Sequence, residues 1–284
     1  MRRWQKWTLG IVATLALVLI VVVASNWSTI QILKGTEGVV GAQAAIPAPV
    51  ADIAPASAGP HDWSAWRGER NDGRSTLTGI RTDWSGGLRR LWEVDYLCQG
   101  RASTSWAAPV VRGNRLVVPG RDETRDLVFS LDPETGDLLW LGAYEAPAGT
   151  AHGPGPRATP YIDGTRVYTF GRSGDLACWD IEDGSELWRV NVKDQGGVEP
   201  RWGFASSPLV VGDRVFVQAG GSARTIAYDK TSGEVVWKSG DGLAGYAAFA
   251  TYQAAEQTQL IVFHGAGLAG LDVGGGRVLW DLPW

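Results

Sequence analysis

Short runs of alternating apolar and polar residues fill most of the chain, and turn-forming residues separate them. One pattern occurs four times: LVFSLDPETGDLLW (127–140), LACWDIEDGSELW (176–188), TIAYDKTSGEVVW (225–237) and LAGLDVGGGRVLW (268–280). In each copy, Asp is followed by Gly four residues later and by Trp four residues after that. The shared positions are Asp132, Gly136 and Trp140; Asp180, Gly184 and Trp188; Asp229, Gly233 and Trp237; Asp272, Gly276 and Trp280. Period-two alternation on both sides of a turn predicts a β-hairpin.

The residue types in this pattern suit a hairpin. A carboxylate at the Asp position accepts hydrogen bonds from turn amides, and Gly takes the left-handed conformation that closes a type I turn with a bulge. The Trp that follows occupies a fixed place on the second strand, with a large apolar ring and one N–H to satisfy. The tryptophans are 48, 49 and 43 residues apart, which predicts a repeated structural unit.

A second hairpin precedes each of the first three copies, in segments 107–120, 158–171 and 206–220. Their predicted turns are Gly113-Asn114, Asp163-Gly164 and Gly212-Asp213, all suited to two-residue connections. In the fourth copy, segment 250–265 predicts a longer and weaker turn. Each unit therefore comprises four antiparallel strands. Repeated units of this kind predict an all-β fold, a β-propeller of four-stranded blades.

One further Trp lies in register with the series. Trp92, within segment 87–96, is 48 residues before Trp140 and predicts the closing strand of a blade whose first three strands are absent upstream. The last residues, 281–284, come directly after the final strand of a blade. We therefore expect four complete blades and one orphan strand, forming an open arc of a larger ring in a fragment of a longer chain.

The N-terminus predicts a membrane segment. Arg2, Arg3 and Lys6 precede an uncharged apolar run from Leu9 to Ala24. A basic flank stays in the cytoplasm, so everything downstream is expected outside it. We interpret residues 1–34 as a cytoplasmic flank and an uncleaved signal anchor with a transmembrane helix in the inner membrane; a cleaved signal peptide is the alternative. The Ala/Pro-rich segment 35–62 predicts a linker, and residues 63–284 the propeller.

Composition narrows the function further. The formal net charge of −4 argues against a nucleic-acid partner. The two cysteines, Cys98 and Cys178, cannot form a disulfide framework or a four-thiolate zinc site. The chain has 15 tryptophans against 6 phenylalanines. The regular spacing of Trp92, Trp140, Trp188, Trp237 and Trp280 indicates that these five are structural.

The repeat resembles the PQQ-like, quinoprotein-type propeller family, which includes BamB. The Asp-x-x-x-Gly-x-x-x-Trp segments carry the resemblance, with the lead-in WSAWRG (63–68) and the segments GPGPRATP (153–160) and WGFASSP (202–208). It implies that each Trp docks one blade onto the next and that rings have about eight blades. It also implies either an assembly scaffold or a dehydrogenase that holds PQQ and Ca²⁺. The paired adjacent cysteines of such dehydrogenases are not found here, since Cys98 and Cys178 are 80 residues apart.

Strand order predicts where a site can lie. In every blade the two tight hairpin turns share one face, and the remaining loops share the other, where function is more often found. On that loop face the candidate binding residues are Arg157, Arg201 and Trp202, followed by Arg121 and Arg172. Acidic residues share these loops, so a solvated mixed-charge surface is the alternative. We expect no catalytic residue and no metal ligand, because His61, His152 and His264 lack ligand spacing.

The resulting hypothesis is a membrane-tethered, extracytoplasmic (periplasmic) propeller that acts as a non-catalytic binding and assembly scaffold. Its expected partners are envelope proteins or a ligand that the sequence does not identify, with no cofactor. The alternative is an oxidoreductase that uses PQQ with calcium. A sensor domain that reads small ligands through the loop face is a third possibility.

Overall fold

The computed structural model describes residues 45–50, 59, 62–100, 103–149, 153–255 and 257–284. Within these residues the chain forms β-strands and one short 3₁₀-helix, Val192–Gln195. No helix in the described part is both long and apolar enough to cross a membrane. The signal anchor predicted for residues 1–34 lies outside the described residues, as does most of the predicted linker, 35–62.

Sixteen strands form four sheets of four strands each. The first sheet contains β1 (Val110–Arg112), β2 (Arg115–Arg121), β3 (Arg125–Leu131) and β4 (Leu138–Glu145). The second contains β5 (Tyr161–Asp163), β6 (Arg166–Phe170), β7 (Asp175–Asp180) and β8 (Glu186–Asn191). The third contains β9 (Leu209–Val211), β10 (Arg214–Gln218), β11 (Thr225–Asp229) and β12 (Val235–Ser239). The fourth contains β13 (Ala250–Ala254), β14 (Gln257–His264), β15 (Gly267–Asp272) and β16 (Val278–Pro283).

Strands follow one another in sequence order and are antiparallel within every sheet. Buried clusters fill the spaces between the first and second, second and third, and third and fourth sheets. The first strands of the first three sheets lie side by side, β1 beside β5 and β5 beside β9. Sheets that stack face to face in sequence order, with their first strands adjacent, are arranged as propeller blades. The all-β prediction with four-stranded antiparallel blades is therefore confirmed.

Each Asp-x-x-x-Gly segment forms the turn between the third and fourth strands of its sheet. In the first sheet, Asp132 Oδ1 accepts the N–H groups of Glu134 and Thr135, and the Gly136 N–H donates to the Asp132 carbonyl. The glycine takes a positive φ of 78°, and the corresponding glycines of the other sheets lie at 71°, 74° and 71°. A register shift in the pairing places one bulged residue directly before each Trp. The hairpin is thus closed by the carboxylate and by a left-handed glycine.

Four of the tryptophans join one blade to the next. The indole N–H of each donates to the main-chain carbonyl of the residue after the Asp in the following turn: Trp92 to Pro133 (3.0 Å), Trp140 to Ile181 (2.8 Å), Trp188 to Lys230 (3.2 Å) and Trp237 to Val273 (3.1 Å). The turn glycine of that following hairpin lies directly on the indole ring. We call this arrangement the Trp socket. In it, an indole ring lies against a turn glycine, and the indole N–H donates to the carbonyl of the residue after the turn Asp.

Arginine supplies a second donor in two of these sockets. Arg115 Nε donates to the Ile181 carbonyl at 3.3 Å, and Arg214 Nη1 donates to the Val273 carbonyl at 2.9 Å. Both residues begin the second strand of their sheet, and Arg214 pairs with Asp229 of its own turn. Successive blades are therefore bound through side-chain donors and main-chain acceptors as well as through apolar packing.

Three details differ from the sequence prediction. Segment 87–96, expected to be an orphan strand, has no strand partner and is not a β-strand, although Trp92 fills its socket. The turn predicted at Asp163-Gly164 lies one residue later, at 164–165, because Asp163 pairs with Arg166. The connection predicted to be long in segment 250–265 is short, since β13 ends at Ala254 and β14 begins at Gln257, and these two residues pair. The turns at Gly113-Asn114 and Gly212-Asp213 are confirmed.

The lead-in segment lies along the inner strands. Trp63 pairs with Val111 in β1 through two main-chain hydrogen bonds of 2.8 and 3.0 Å. The Ser64 carbonyl accepts the N–H of Ile162 in β5, and Asp62 Oδ1 accepts the N–H of Gly113 at 2.7 Å. The segment therefore bridges the first two blades at the end where their tight turns lie.

Candidate functional site: the loop face

Two kinds of connection meet on one face of the blades. The first comprises the loops between the second and third strands of each sheet. The second comprises the segments that lead from one sheet to the next and include residues 146–149, 153–160, 192–208 and 240–249. We call this side the loop face. All five candidate binding residues lie on it, but in different environments.

Arg121 is buried inside the first blade. Its Nη1 donates to Asp126 Oδ1 at 2.7 Å, and its Nη2 donates to the Ala146 carbonyl at 2.9 Å. Both partners of this ion pair are almost completely buried. Burial raises the pKa of Asp126 to about 6, even beside the guanidinium. Arg121 thus joins β2, β3 and the loop after β4, and it does not face the solvent.

Arg172 is also buried, at the start of the loop after β6. Its Nη1 donates to Glu199 Oε1 at 2.9 Å, which ties this loop to the segment between the second and third sheets. The side chain lies against Gly149 and Gly203, so closely that a Cβ at either position would collide with it. Two glycines therefore make the space in which this guanidinium lies.

Arg157 is half-buried beside it. Its Nη2 donates to the Gly153 carbonyl at 3.0 Å. Burial and the positive charge of the nearby Arg172 lower the pKa of Arg157 from its ordinary value. Two guanidiniums therefore lie close together under the loop face, with the Glu199 carboxylate on one of them.

Trp202 forms a partly exposed cluster with Tyr246 and Arg201. The rings of Trp202 and Tyr246 are 5.2 Å apart between centroids, and the Arg201 guanidinium lies 5.9 Å from the Trp202 ring. The main-chain N–H of Trp202 donates to the Tyr246 hydroxyl at 3.3 Å, which links the loops before the third and fourth sheets. Both aromatic side chains remain 38% exposed. We call these three residues the aromatic platform.

Trp106 and Tyr246 are loop-face residues that sequence reasoning did not select. Trp106, Arg157, Ala205 and Tyr246 occupy equivalent positions, each four residues before the first strand of its sheet. Trp106 is 66% exposed, and its main-chain N–H donates to the Pro156 carbonyl. Their equal distance from the first strand of each sheet could have identified them from the sequence.

The described residues contain no group of three His, Cys, Asp or Glu side chains placed to hold a metal ion. His264 is buried between the third and fourth sheets, where its Nδ1 accepts the Ala266 N–H at 3.2 Å. Cys178 is buried in β7, and Cys98 is partly buried. A calcium ion with PQQ would need several carboxylate or amide oxygens in one place.

The fold and the Trp sockets define a class, the β-propellers with four-stranded blades in which an indole docks each blade onto the next. A family model described as "Outer membrane protein assembly factor BamB" matches residues 124–284, more than half of the chain. The chain belongs to this family.

A curated relative supports this assignment, and two solved structures share the fold. BamB of Vibrio cholerae serotype O1 is 30% identical over 135 residues, which is 46% of this chain and 33% of the relative. A europium-containing methanol dehydrogenase superposes with a TM-score of 0.61 at 17% identity, covering 79% of this chain and 49% of the enzyme. The quinohemoprotein alcohol dehydrogenase of Comamonas testosteroni gives 0.58 at 18% identity, covering 78% and 41%. These two similarities show the fold alone. The matches span about a third to a half of the length of these proteins.

Proposed function

We propose that this protein is a non-catalytic binding and assembly scaffold that presents its loop face to other envelope proteins. Membership of a family described as an outer membrane protein assembly factor supports a binding and assembly role. We further propose that residues 1–34 anchor the chain in the inner membrane, that residues 35–62 are the linker, and that residues 63–284 form the propeller on the extracytoplasmic side.

The aromatic platform is the observation that carries this proposal. Aromatic residues and arginine are enriched in protein–protein interfaces and in the residues that dominate binding energy. Trp202, Tyr246 and Arg201 combine both types, are held by contacts between two inter-blade loops, and remain accessible. Arg121 and Arg172, in contrast, are buried in ion pairs. Arg172 binds Glu199 in the segment that carries Trp202, so we assign it to positioning the platform, whereas Arg121 binds Asp126 within the first blade.

Site-specific crosslinking in the intact envelope tests this proposal. A photoreactive amino acid is placed at position 201 on the loop face, and in a matched protein at Asp213, which is exposed in a tight turn on the opposite face. We expect protein adducts at position 201 that decrease at least about tenfold with Trp202→Ala, equivalent to roughly 1.4 kcal/mol. Adducts of equal yield at both positions, or none at 201, would argue against the loop face.

The same protein allows the dehydrogenase alternative to be measured directly. Purified full chain is supplied with PQQ and Ca²⁺ and assayed for dye reduction with alcohols or sugars. Turnover that needs PQQ would replace the scaffold proposal by the oxidoreductase. Anchoring is tested separately by fractionation, in which deletion of residues 1–34 should release the propeller from the membrane pellet.

A further inference from the structure

The outer edge of the first blade differs from the outer edges of the other blades. After its repeat Trp, the first sheet has Leu141, which is partly buried. The residues at that position in the other sheets are charged: Arg189, Lys238 and Asp281. Before the Trp, Leu139 is only 5% exposed, whereas the equivalent Leu187 and Val236 are 43% and 44% exposed. Strand β4 is thus apolar and covered where the outer strands of the other blades are charged and open.

The cover is a short segment from the N-terminal part of this chain, residues 46–50. The Val50 N–H donates to the Leu138 carbonyl at 2.8 Å, on the edge of β4 that pairs with no other strand of the described chain. Ile46 packs against the buried cluster of the first sheet that includes Leu138. Val50 and residues 139–141 of β4 line one groove of about 420 Å³. We call residues 46–50 the strap.

The strap also lies beside the first Trp socket of β4. Asp183, in the turn that receives Trp140, lines the same groove. Trp140 is 3% exposed, against 8% for Trp237, while Trp92 and Trp188 are half-buried. Trp140 is therefore the most buried of the four docking indoles, as expected where a further segment covers its socket.

The residue types in the strap suit this edge. Proline has a fixed φ, and the residue before a proline is restricted to extended backbone, so Pro47 and Pro49 keep Ile46 and Ala48 extended. Because such a segment is already extended when free, it loses little conformational entropy on binding. The prolines also lack an N–H, so a further strand cannot form a continuous ladder across the strap. The strap therefore ends the sheet instead of extending it.

We propose that the outer edge of β4 is a binding site for an extended, proline-containing apolar segment, and that the strap of the same chain occupies it. Exposed strand edges pair readily with strands of other molecules, and a bound strap closes this one. Leu138 lies at the end of β4 next to its tight turn, so the strap reaches the propeller at the end opposite the loop face. The site is separate from the aromatic platform, and its existence does not depend on the proposed function.

One consequence rests on the proposed membrane anchor in residues 1–34. A chain that is free up to Trp63 spans at most about 100 Å from residue 34, at roughly 3.5 Å per residue. A chain that is bound from Ile46 onward spans at most about 40 Å. The strap therefore reduces the distance that the propeller can reach from the membrane.

Hydrogen exchange of the purified full chain tests whether the strap is bound. We expect the Val50 amide to exchange at least about tenfold more slowly than the same amide in a synthetic peptide of residues 44–52. Ile46→Asp places a carboxylate against the apolar cluster and should reduce this protection to less than about twofold. Ala45→Asp is the matched control, since it adds the same charge at an exposed position and should keep the protection.

Leu141→Arg tests the edge itself. The substitution gives β4 the residue that the second sheet has at Arg189, so the blade should remain folded while the strap is released. The Val50 protection should again fall below about twofold, whereas the amides of β3 and β4 should stay protected.

Photocrosslinking identifies what occupies the edge. A photoreactive amino acid at position 50 should form adducts with β4 of the same chain. In a mixture of isotope-labelled and unlabelled protein, adducts that join the two species would assign the edge to the strap of a second copy and overturn the proposal. A Val50 amide that exchanges as fast as in the peptide, or equal effects of Ile46→Asp and Ala45→Asp, would also overturn it.

Reconstituted vesicles separate the strap from its consequence for reach. Energy transfer from a label at the exposed position 213 to acceptors in the bilayer should decrease with Ile46→Asp and not with Ala45→Asp. Unchanged transfer despite loss of the Val50 protection would overturn the limit on reach alone. Protein that does not remain with the vesicles would overturn the proposed anchor but leave the strap intact.

Discussion

At the scale of single residues, the blades depend on a glycine that meets two requirements at once. Gly184 has a φ of 71°, which L side chains adopt only with strain, and a Cβ built on it would lie 2.5 Å from the Trp140 ring. Gly164, in a tight turn of the same blade, has a similar φ of 61° but nothing within 4 Å of its Cβ position. The two positions therefore separate conformational strain from contact with the indole.

Gly184→Ala should lower the free energy of unfolding by about 2–4 kcal/mol, combining left-handed strain of roughly 1 kcal/mol with a steric conflict of about 1–3 kcal/mol. Gly164→Ala is the matched control and should lose only the strain, about 1 kcal/mol. Urea denaturation measures both. Equal losses would mean that the glycine contact contributes nothing to docking.

The sequence contained enough information to identify the Asp, Gly and Trp positions, because each is needed for local turn geometry or recurs at a fixed spacing. It did not reveal that Trp280 differs from the other four, whose indoles bind the next blade: the Trp280 indole N–H donates to Gln259 Oε1 at 2.8 Å within its own sheet, and its ring lies against Gly270. That difference arises from Gly270 and Gln259, which adjoin Trp280 only once the strands pair. The difference between buried Arg121 and exposed Arg201 was equally hidden, since it depends on Asp126 and on loops distant in sequence.

At the scale of strands and hairpins, turn chemistry predicted most connections, but strand pairing overrode it in the fourth blade. Segment 250–265 lacks a favourable turn pair, yet its strands remain in register up to Ala254 and Gln257, where they force a short connection. Ala255 consequently has a φ of 51°. Segment 87–96 shows the opposite effect, since a strand-like sequence without a partner strand does not become a strand.

Ala255→Gly should stabilise the fourth blade by about 0.5–1 kcal/mol, because glycine adopts the left-handed region without a Cβ conflict. Ala254→Gly, one residue earlier in a paired strand, should instead destabilise by a similar amount, about 0.5–1 kcal/mol. Thermal or urea unfolding of both variants distinguishes them. A loss of stability in both would show that the connection gains nothing from left-handed freedom.

At the scale of the whole molecule, each blade contacts its neighbours in series, so the interfaces contribute separately to stability. The interface between the third and fourth blades contains a titratable group. His264 lies 3.4 Å from Arg224 Nη1 through its Nδ1 and 3.7 Å from Asp281 Oδ1 through its Nε2. Burial, together with the positive charge of Arg224, lowers the pKa of His264.

Acidification should therefore weaken this interface. Because the folded state binds a proton on His264 less readily than the unfolded chain, the stability it contributes is present above the unfolded pKa near 6.5 and is lost as the pH falls below it. His264→Gln keeps a neutral acceptor for the Ala266 N–H, so its free energy of unfolding should rise relative to that of the unsubstituted chain as the pH falls from about 7 to 5. Asp126, whose pKa is raised to about 6, acts in the opposite direction but equally in both proteins. Parallel pH profiles for the two proteins would rule out this group as the cause.

The acceptors in the four Trp sockets are Pro133, Ile181, Lys230 and Val273, which have unrelated side chains. This variety is possible because the bond uses the peptide oxygen, which every amino acid possesses. Substitutions at these positions would therefore preserve the peptide acceptor of the indole bond, although the buried Ile181 side chain also packs in the core between the first two blades. Docking by the indole thus constrains the course of the main chain in each turn rather than the chemistry of its side chains.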